Sequence, residues 1–308
     1  MNIKITYHIM PWEIDYALLT FKQLKKSKYY LPDNVNIVID SVLNLSSNLI
    51  KWDTSKLPKE YFIEKYKTIS ILLKDYTHNT KIYNGDELYG HLDLQRDSIE
   101  INVDYYISIC PDTYFSEHLL SYLVQSVQSI PNEYFVITPQ ICRMWDSSWD
   151  VVVNPNFAYG SYENHGWLES IDIFDVDNYL HTANEDIVIK PTTHSKWAGW
   201  FDLYNKKFFE ELAPIPPEWH GYGGWDHYSM SISEYAKQSR FDFAQYCLTG
   251  QIVFEYGCGP LRNDIVNGFS NYYKKFLTCE NVTDQRETFN KNLEFYVNKR
   301  ILHLKNEK

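Results

Sequence analysis

The sequence predicts an α/β fold whose sheet is largely parallel and is flanked by helices. Short stretches rich in β-branched and apolar residues alternate with longer stretches of helical spacing from residue 2 to about residue 141. This alternation is typical of βαβ units. In an open sheet of this kind, ligands bind beyond the carboxyl ends of the strands. Residues that follow the predicted strands are therefore the first candidates for a functional site.

Each predicted element has its own pattern. NIKITYHI has apolar and β-branched residues in near-alternation, which predicts a strand, and MPWE breaks it before a helix. VNIVID is short, β-branched and bounded by PDN, while DYYISIC is a strong strand pattern that ends at a proline. The predicted strands are 2–9, 34–43, 80–85, 104–112 and 133–141. The predicted helices are 14–27, 59–76, 87–101 and 118–130.

The second half of the chain has a weaker pattern. Residues 142–195 are acidic and aromatic without a clear period, and a long irregular segment inside a compact domain is usually functional or mobile. Helical spacing returns in KKFFEEL, in HYSMSISEYAKQ and in a tail of one or two helices. No internal repeat or Gly/Ser linker separates these parts. We expect one domain in two parts, 1–141 and 142–267, with a helical tail at 268–308.

Composition excludes several classes of protein. The chain has 308 residues, of which 44% are hydrophobic, and this is enough for a real core. A net charge of -11 argues against a broad electrostatic grip on nucleic acid. Five cysteines without a C-x-x-C pair predict neither a disulfide framework nor a zinc site. The sequence contains no long uncharged apolar run and no signal peptide at its start, so we expect a cytoplasmic protein, bacterial or viral, without a membrane span.

Aromatic residues are unusually frequent, with 26 Tyr, 16 Phe and 9 Trp. Such side chains have an apolar face and, in Tyr and Trp, a polar edge, which suits the CH faces and hydroxyls of a sugar. An AT-rich genome explains part of the tyrosine content, but it does not explain tryptophan. Seven of the nine tryptophans lie between 145 and 225, and several fall in predicted loops. This distribution favours a surface on which a ligand stacks, although core packing explains any one of them equally well.

Two acids stand where chemistry is expected. Asp112 follows the predicted strand 104–112 directly after a proline, so its carboxylate can hold Mg²⁺ or Mn²⁺ at the edge of the sheet. The alternative is a turn residue or a helix N-cap. Asp226 follows three glycines in GYGGWDHY and begins a predicted helix, where it can act as a general base on a hydroxyl. The alternative for Asp226 is a favourable charge at a helix N-terminus.

The stretch KWAGWFDLYNKKFF, followed after about a dozen residues by GYGGWDHY, resembles a segment of nucleotide-sugar glycosyltransferases of the GT-A fold. The layout is similar to the β-1,4-galactosyltransferase and polypeptide N-acetylgalactosaminyltransferase groups, which carry a G-W-G-G-E-D segment. The resemblance implies that Asp226 is the catalytic acid of this segment and that Trp225 replaces its usual glutamate. It also implies an acceptor site, whose expected residues are Trp200, Tyr222, Gly223, Gly224 and Trp225.

The same resemblance implies a nucleotide site and a metal. Cys110, Pro111 and Asp112 stand at the place of the family's D-x-D motif, with a cysteine instead of the first acid. Asp112 would then bind Mn²⁺ or Mg²⁺, and the family's third metal ligand has no clear match. The expected nucleotide-binding residues are Thr6, Tyr7, His8, Asp40, Arg96 and Cys110. The implied halves are a nucleotide-sugar-binding part, 1–141, and an acceptor-binding and catalytic part, 142–267. For Arg96 a solvated helix charge is the alternative.

The function that the resemblance implies is transfer of a sugar from a nucleoside-diphosphate sugar, with a UDP-sugar favoured, to a hydroxyl acceptor. An inverting, metal-assisted reaction on a glycan is the leading expectation, and a retaining reaction stays open. One alternative is a viral-type enzyme that glycosylates hydroxymethylated DNA bases, and another is a carbohydrate-binding protein without catalysis. A glycoside hydrolase that uses two carboxylates is a further alternative, but it leaves the first half of the chain unexplained.

Overall fold

The structure is a computed structural model, and it describes most of the chain. The described residues are 1–46, 51–52, 58–87, 89–143, 188–192, 201–220, 225–239, 241–255, 277–278 and 281–306.

The strands in the described part of the chain number eleven. They are β1 (Asn2–Ile9), β2 (Asn36–Asn44), β3 (Lys51–Trp52), β4 (Thr77–Tyr83), β5 (Tyr105–Ile109), β6 (Thr113–Phe115), β7 (Tyr134–Arg143), β8 (Val188–Pro191), β9 (Phe201–Asn205), β10 (Phe243–Glu255) and β11 (Leu277–Thr278). The α-helices are α1 (Ile14–Ser27), α2 (Lys59–Ser70), α3 (His91–Asp97), α4 (Leu119–Val127), α5 (Trp225–Gln238) and α6 (Asn281–Asn306). A π-helical turn covers Phe208–Leu212.

Nine of these strands form one mixed sheet in the order β4-β2-β1-β5-β9-β7-β10-β6, with β8 on β10. The pairs β4-β2, β2-β1, β1-β5 and β7-β10 are parallel. Strand β9 is antiparallel to both of its neighbours, β5 and β7. The start of β9 therefore lies at the edge where β1, β2 and β5 end. The predicted α/β class with a mostly parallel sheet between helices is confirmed. The division at residues 141 and 267 stays a prediction.

The two faces of the sheet carry different cores because successive residues of a strand point to opposite sides. On the first face, alternate residues of β1 (Ile3, Ile5, Tyr7 and Ile9) pack with apolar side chains of α1, α2 and α4. On the second face, a largely aromatic cluster joins Tyr106 and Tyr204 of the sheet to the π-helical turn, α5 and α6. The helices are thus distributed over both faces, as in other α/β layers.

Several boundaries differ from the prediction. Helix α3 covers only 91–97 of the predicted 87–101, and β5 ends at Ile109. The short strand β6 takes residues 113–115, because its backbone pairs with the end of β10. Strand β10 was not predicted, because Gly250 interrupts its pattern and the register shifts between Leu248 and Ile252.

Candidate functional site

A row of polar side chains crosses the second face of the sheet. Asp40 of β2, Thr6 of β1, Ser108 of β5 and Asp202 of β9 are direct neighbours in register. Paired residues of adjacent strands share a face, so the four side chains lie side by side. Thr6, Ser108 and Asp202 are buried, and Asp202 is 0% exposed. These four residues are called the polar row below.

Asp40 at one end of the row is neutralised by a buried lysine. Lys4, 0% exposed, places its Nζ 3.0 Å from Asp40 Oδ2 and 2.6 Å from Glu100 Oε1. The amide of Asn79 donates to Asp40 Oδ1 at 2.7 Å. Strand β2 continues to residue 44, so Asp40 lies in the middle of the strand. The chain stays paired with β1 and β4 beyond Asp40.

Asn44 occupies the position at which β2 ends. Its Nδ2 lies 2.5 Å from the carbonyl oxygen of Tyr89 and 3.1 Å from Nε2 of His8, while Oδ1 accepts the backbone N–H of Ser46 at 2.9 Å. Asn44 therefore ties the ends of β1 and β2 to the segment before α3. We did not predict this residue from the sequence, although a polar residue just after an apolar strand is a usable signal.

Two histidines on this face are uncharged at neutral pH. Burial lowers the pKa of His8 well below its ordinary value, and nearby His91 lowers it further. Burial also lowers the pKa of His91 to about 4, against an opposing effect of Asp226. His91 is the first residue of α3, and its Nε2 lies 3.0 Å from Oγ of Ser108 in the polar row. Thr6 and His8 lie within β1 itself, on the face of the polar row.

Asp226 is a partly exposed acid beside this row. It is the second residue of α5, its side chain is 27% exposed, and Nδ1 of His227 lies 3.3 Å from its Oδ1. Its charge acts on His91, on Asp202 and on Tyr204, raising the pKa of each. Asp226 is therefore close enough to act electrostatically on His91 and on the Asp202 end of the polar row.

Asp202 is the buried acid at that end. The hydroxyl of Tyr204 donates to Asp202 Oδ2 at 3.0 Å, and Oδ1 has no hydrogen-bond partner in the part of the chain that the structure describes. Burial raises the pKa of Asp202 well above its ordinary value, Tyr204 lowers it, and Asp226 raises it again. We did not single out Asp202 from the sequence. The signal was an acid inside the apolar stretch WFDLY.

Asp112 lies in the turn between β5 and β6, as its predicted position at a strand end requires. Hydrogen bonds hold this turn: the carbonyl of Pro111 accepts the Thr20 hydroxyl at 3.1 Å, and the carbonyl of Cys110 accepts the Thr113 hydroxyl at 2.7 Å. Asp112 is buried, at 6% exposure. Among the described residues, no three His, Cys, Asp or Glu side chains are grouped to hold a metal ion. The described residues therefore do not by themselves form a metal site.

Tyr7 and Arg96 make contacts that do not fit the expected nucleotide site. Tyr7 points to the first face, where its ring is 0% exposed and its hydroxyl lies 3.4 Å from the carbonyl of Pro111. Burial raises its pKa well above the ordinary value. The guanidinium of Arg96 donates to the carbonyls of Trp219 and Pro216, the latter at 3.0 Å. Both residues bind backbone, so we correct their roles: Tyr7 packs in the core, and Arg96 holds the segment 216–219.

Of the five expected acceptor residues, the structure describes Trp225. Trp225 is 3% exposed, its Nε1 donates to the carbonyl of Ala213 at 3.0 Å, and its ring packs on Tyr204 and Phe209. Trp225 thus packs in the aromatic cluster of the second face, and its expected role at the acceptor stays a prediction. The other expected acceptor residues, Trp200, Tyr222, Gly223 and Gly224, lie outside the described residues.

The solved structures to which this chain is similar include S. aureus TarS and GalNAc-T7. Residues 1–349 of S. aureus TarS match over 81% of this chain and 60% of that one, at 10% identity and a TM-score of 0.43. GalNAc-T7, solved with UDP, GalNAc and Mn²⁺, matches over 83% of this chain and 44% of its own, at 11% identity and a TM-score of 0.43. TarS 1–349 in complex with UDP-GlcNAc matches over 46% of this chain and 35% of its own, at 13% identity and a TM-score of 0.30.

The chain thus spans between about a third and three fifths of the length of these proteins. No protein-family model matches the chain, and no curated protein sequence matches it significantly. In the described part of the chain, no helix is both long enough and apolar enough to cross a membrane.

Proposed function

We propose that this protein is a glycosyltransferase that moves a sugar from a nucleoside-diphosphate sugar to a hydroxyl acceptor. The observation that carries the proposal is the setting of Asp226, a partly exposed carboxyl group whose charge acts on the buried side chains of His91 and Asp202. A carboxylate beside buried hydrogen-bonding groups suits general-base chemistry on a sugar hydroxyl. Along the chain, the segment that ends in Asp112 comes before the segment that contains Asp226. This is the motif order of the GT-A resemblance, and it supports the same activity.

In the proposed reaction, Asp226 removes the proton from the acceptor hydroxyl as that oxygen attacks the anomeric carbon of the donor. The new oxygen–carbon bond forms while the bond from this carbon to the diphosphate oxygen breaks. The nucleoside diphosphate leaves with the electron pair, and the proton ends on the carboxylate. Attack opposite the leaving group inverts the configuration of the anomeric carbon.

The donor side of the proposal starts at Asp112. Asp112 supplies one carboxylate to the sheet edge, and Mn²⁺ or Mg²⁺ bound there would neutralise charge on the diphosphate. Because the described residues offer no three-ligand group, no step of the reaction above is assigned to a metal. Of the other expected nucleotide-binding residues, we keep Thr6, His8 and Cys110 as proposed contacts of the nucleotide. The acceptor residues Trp200, Tyr222, Gly223 and Gly224 also stay, and a glycan is the proposed acceptor.

The first experiment is a thermal-shift series with UDP, GDP, CMP, TDP and ADP, each with and without Mn²⁺. A rise in melting temperature with one diphosphate supports a donor site and identifies its base. Loss of a Mn²⁺-dependent rise in Asp112→Ala would assign that metal to Asp112. If no nucleotide shifts the melting temperature and free sugars do, the protein is a carbohydrate-binding protein and the transferase proposal is wrong.

The second experiment tests Asp226 with the matching nucleotide sugar, beginning with UDP-GlcNAc. We expect Asp226→Asn to lower release of the nucleoside diphosphate by about 10²–10⁴-fold, because the amide cannot accept the proton. The nucleotide-induced rise in melting temperature should persist in this variant. Asp33→Asn, which changes an exposed carboxyl in the turn before β2, is the matched control. Equal loss of turnover in both variants would contradict a catalytic role for Asp226. If the wild type glucosylates hydroxymethylated DNA, the acceptor is DNA and not a glycan, and the proposed type of reaction is unchanged.

A further inference from the structure

Asp202 is a buried acid that the reaction above does not use. It lies at the start of β9 with 0% exposure, and its Cα partner in β5 is Ser108 of the polar row. No lysine, arginine or histidine of the described residues forms an ion pair with it. Lys4, a buried cation on the same face of the sheet, is already paired with Asp40 and Glu100. Within the described residues, an ionised Asp202 therefore has no cation paired with it.

Groups from three sides face Asp202, and none of them carries a positive charge at neutral pH. Tyr204 of its own strand donates to Oδ2, and Asp226 of α5 adds a negative charge. Beside them lie the uncharged His91 of α3 and the thiol of Cys110, which acts on Tyr204. An ionised Asp202 would stand unpaired beside a second carboxylate, which is the arrangement that most strongly disfavours ionisation.

A protonated Asp202 has one O–H group, which needs a hydrogen-bond acceptor. Because Oδ2 accepts the Tyr204 hydroxyl, the proton belongs on Oδ1, and Oδ1 has no partner among the described residues. A buried donor without a partner is costly, and a ligand that accepts its hydrogen bond offsets that cost. The turn that carries Asp112 follows β5, which pairs with the start of β9, and the charge of Asp226 at the head of α5 acts on Asp202.

We propose that Asp202 is a neutral carboxylic acid whose Oδ1–H binds a hydroxyl of the donor sugar beneath Asp226. This inference rests on the proposed transferase function. Asp202 is a specificity residue in this scheme: it recognises the sugar, while Asp226 acts as the general base. Its amide counterpart, asparagine, keeps the same shape, accepts from Tyr204 through its oxygen and donates through its nitrogen.

The state of Asp202 can be tested without any substrate. The melting temperatures of the wild type, Asp202→Asn and the surface control Asp33→Asn are measured from pH 4 to pH 8. If folded Asp202 holds a proton that the unfolded chain releases, the folded state binds more protons, so its stability falls as pH rises above about 4. We expect the melting temperature of Asp202→Asn minus that of the wild type to increase with pH. A difference that stays flat, or that decreases, overturns the neutral acid.

The sugar contact is tested by comparing UDP-GlcNAc with UDP as ligands. In the wild type the sugar should add to affinity. Asp202→Leu is similar in volume and has no hydrogen-bond donor. It should reduce the gain in affinity of UDP-GlcNAc over UDP by about 3–10-fold and leave the affinity for UDP unchanged. Asp202→Asn should restore it. Loss of affinity for UDP itself would indicate a structural role and overturn the contact, as would full sugar-dependent affinity in Asp202→Leu.

Failure of the two proposals can be told apart. If wild-type protein binds neither UDP nor UDP-GlcNAc, and no other nucleoside diphosphate or its sugar, the transferase proposal fails and the sugar contact fails with it. The pH series on Asp202→Asn still decides whether Asp202 holds its proton. If UDP-GlcNAc binds and Asp202→Leu binds it as well as the wild type does, only the sugar contact is wrong.

Discussion

The side chains on the two faces of strand β1 are equally buried, but they are chemically very different. Ile5 on the first face lies among aliphatic residues of α1, α2 and α4, whereas Lys4 and Thr6 on the second face lie in the polar row and its ion pairs. Burial of an apolar side chain stabilises the fold directly. Burial of a polar or charged side chain stabilises it only when every hydrogen bond and charge is satisfied. The first face therefore supports the fold, and the second face holds the chemistry.

The largest effect on stability is expected on the first face. Ile5→Ala should lower the free energy of unfolding by about 3–4 kcal/mol, because it removes buried methyl groups and leaves a cavity. Urea unfolding measures the change. Ile101→Ala is the matched control, because Ile101 is 89% exposed, and its effect should stay below about 0.5 kcal/mol. Equal effects for the two variants would show that the first face is not a packed core.

A smaller loss is expected from the buried lysine of the second face. Lys4→Met should lower the free energy of unfolding by about 3 kcal/mol, because Asp40 and Glu100 lose the ammonium group that balances them. Adding Asp40→Asn to this variant should recover about 1 kcal/mol, since one of the two unbalanced charges is then gone. Urea unfolding of both variants tests this coupling. A double variant less stable than Lys4→Met would mean that Asp40 is held by other contacts.

The smallest effect is expected at Arg96, and it sharpens the assignment of the site. Arg96→Gln should lower the free energy of unfolding by about 1–2 kcal/mol, because the segment 216–219 loses its charged hydrogen bonds. The thermal shift caused by the matching nucleotide should keep its size. Lys67→Gln, which breaks an exposed pair with Glu64, is the control and should cost less than about 0.5 kcal/mol. A nucleotide shift lost in Arg96→Gln alone would restore Arg96 to the diphosphate site.

The sequence by itself determined the fold class and the places of two acids. The patterns of β1, β2 and β5 were readable because β-branched, alternating residues act over a few positions along the chain. The same local signals put Asp112 after β5 and Asp226 in the first turn of α5, and both positions agree with the structure. Strand β10, with its interrupting glycine, and the short β6 were not readable, because pairing with distant strands decides them.

Only the tertiary structure decided which polar residues meet. Thr6, Ser108 and Asp202 are about 100 residues apart in the chain, and they become neighbours through the register of β1, β5 and β9. Register depends on the hydrogen bonds and packing of the whole sheet, which no local pattern encodes. The same holds for the expected site residues whose roles changed. Asp40 and Tyr7 look available in the sequence, and in the fold Asp40 pairs with Lys4 and Tyr7 packs in the core of the first face.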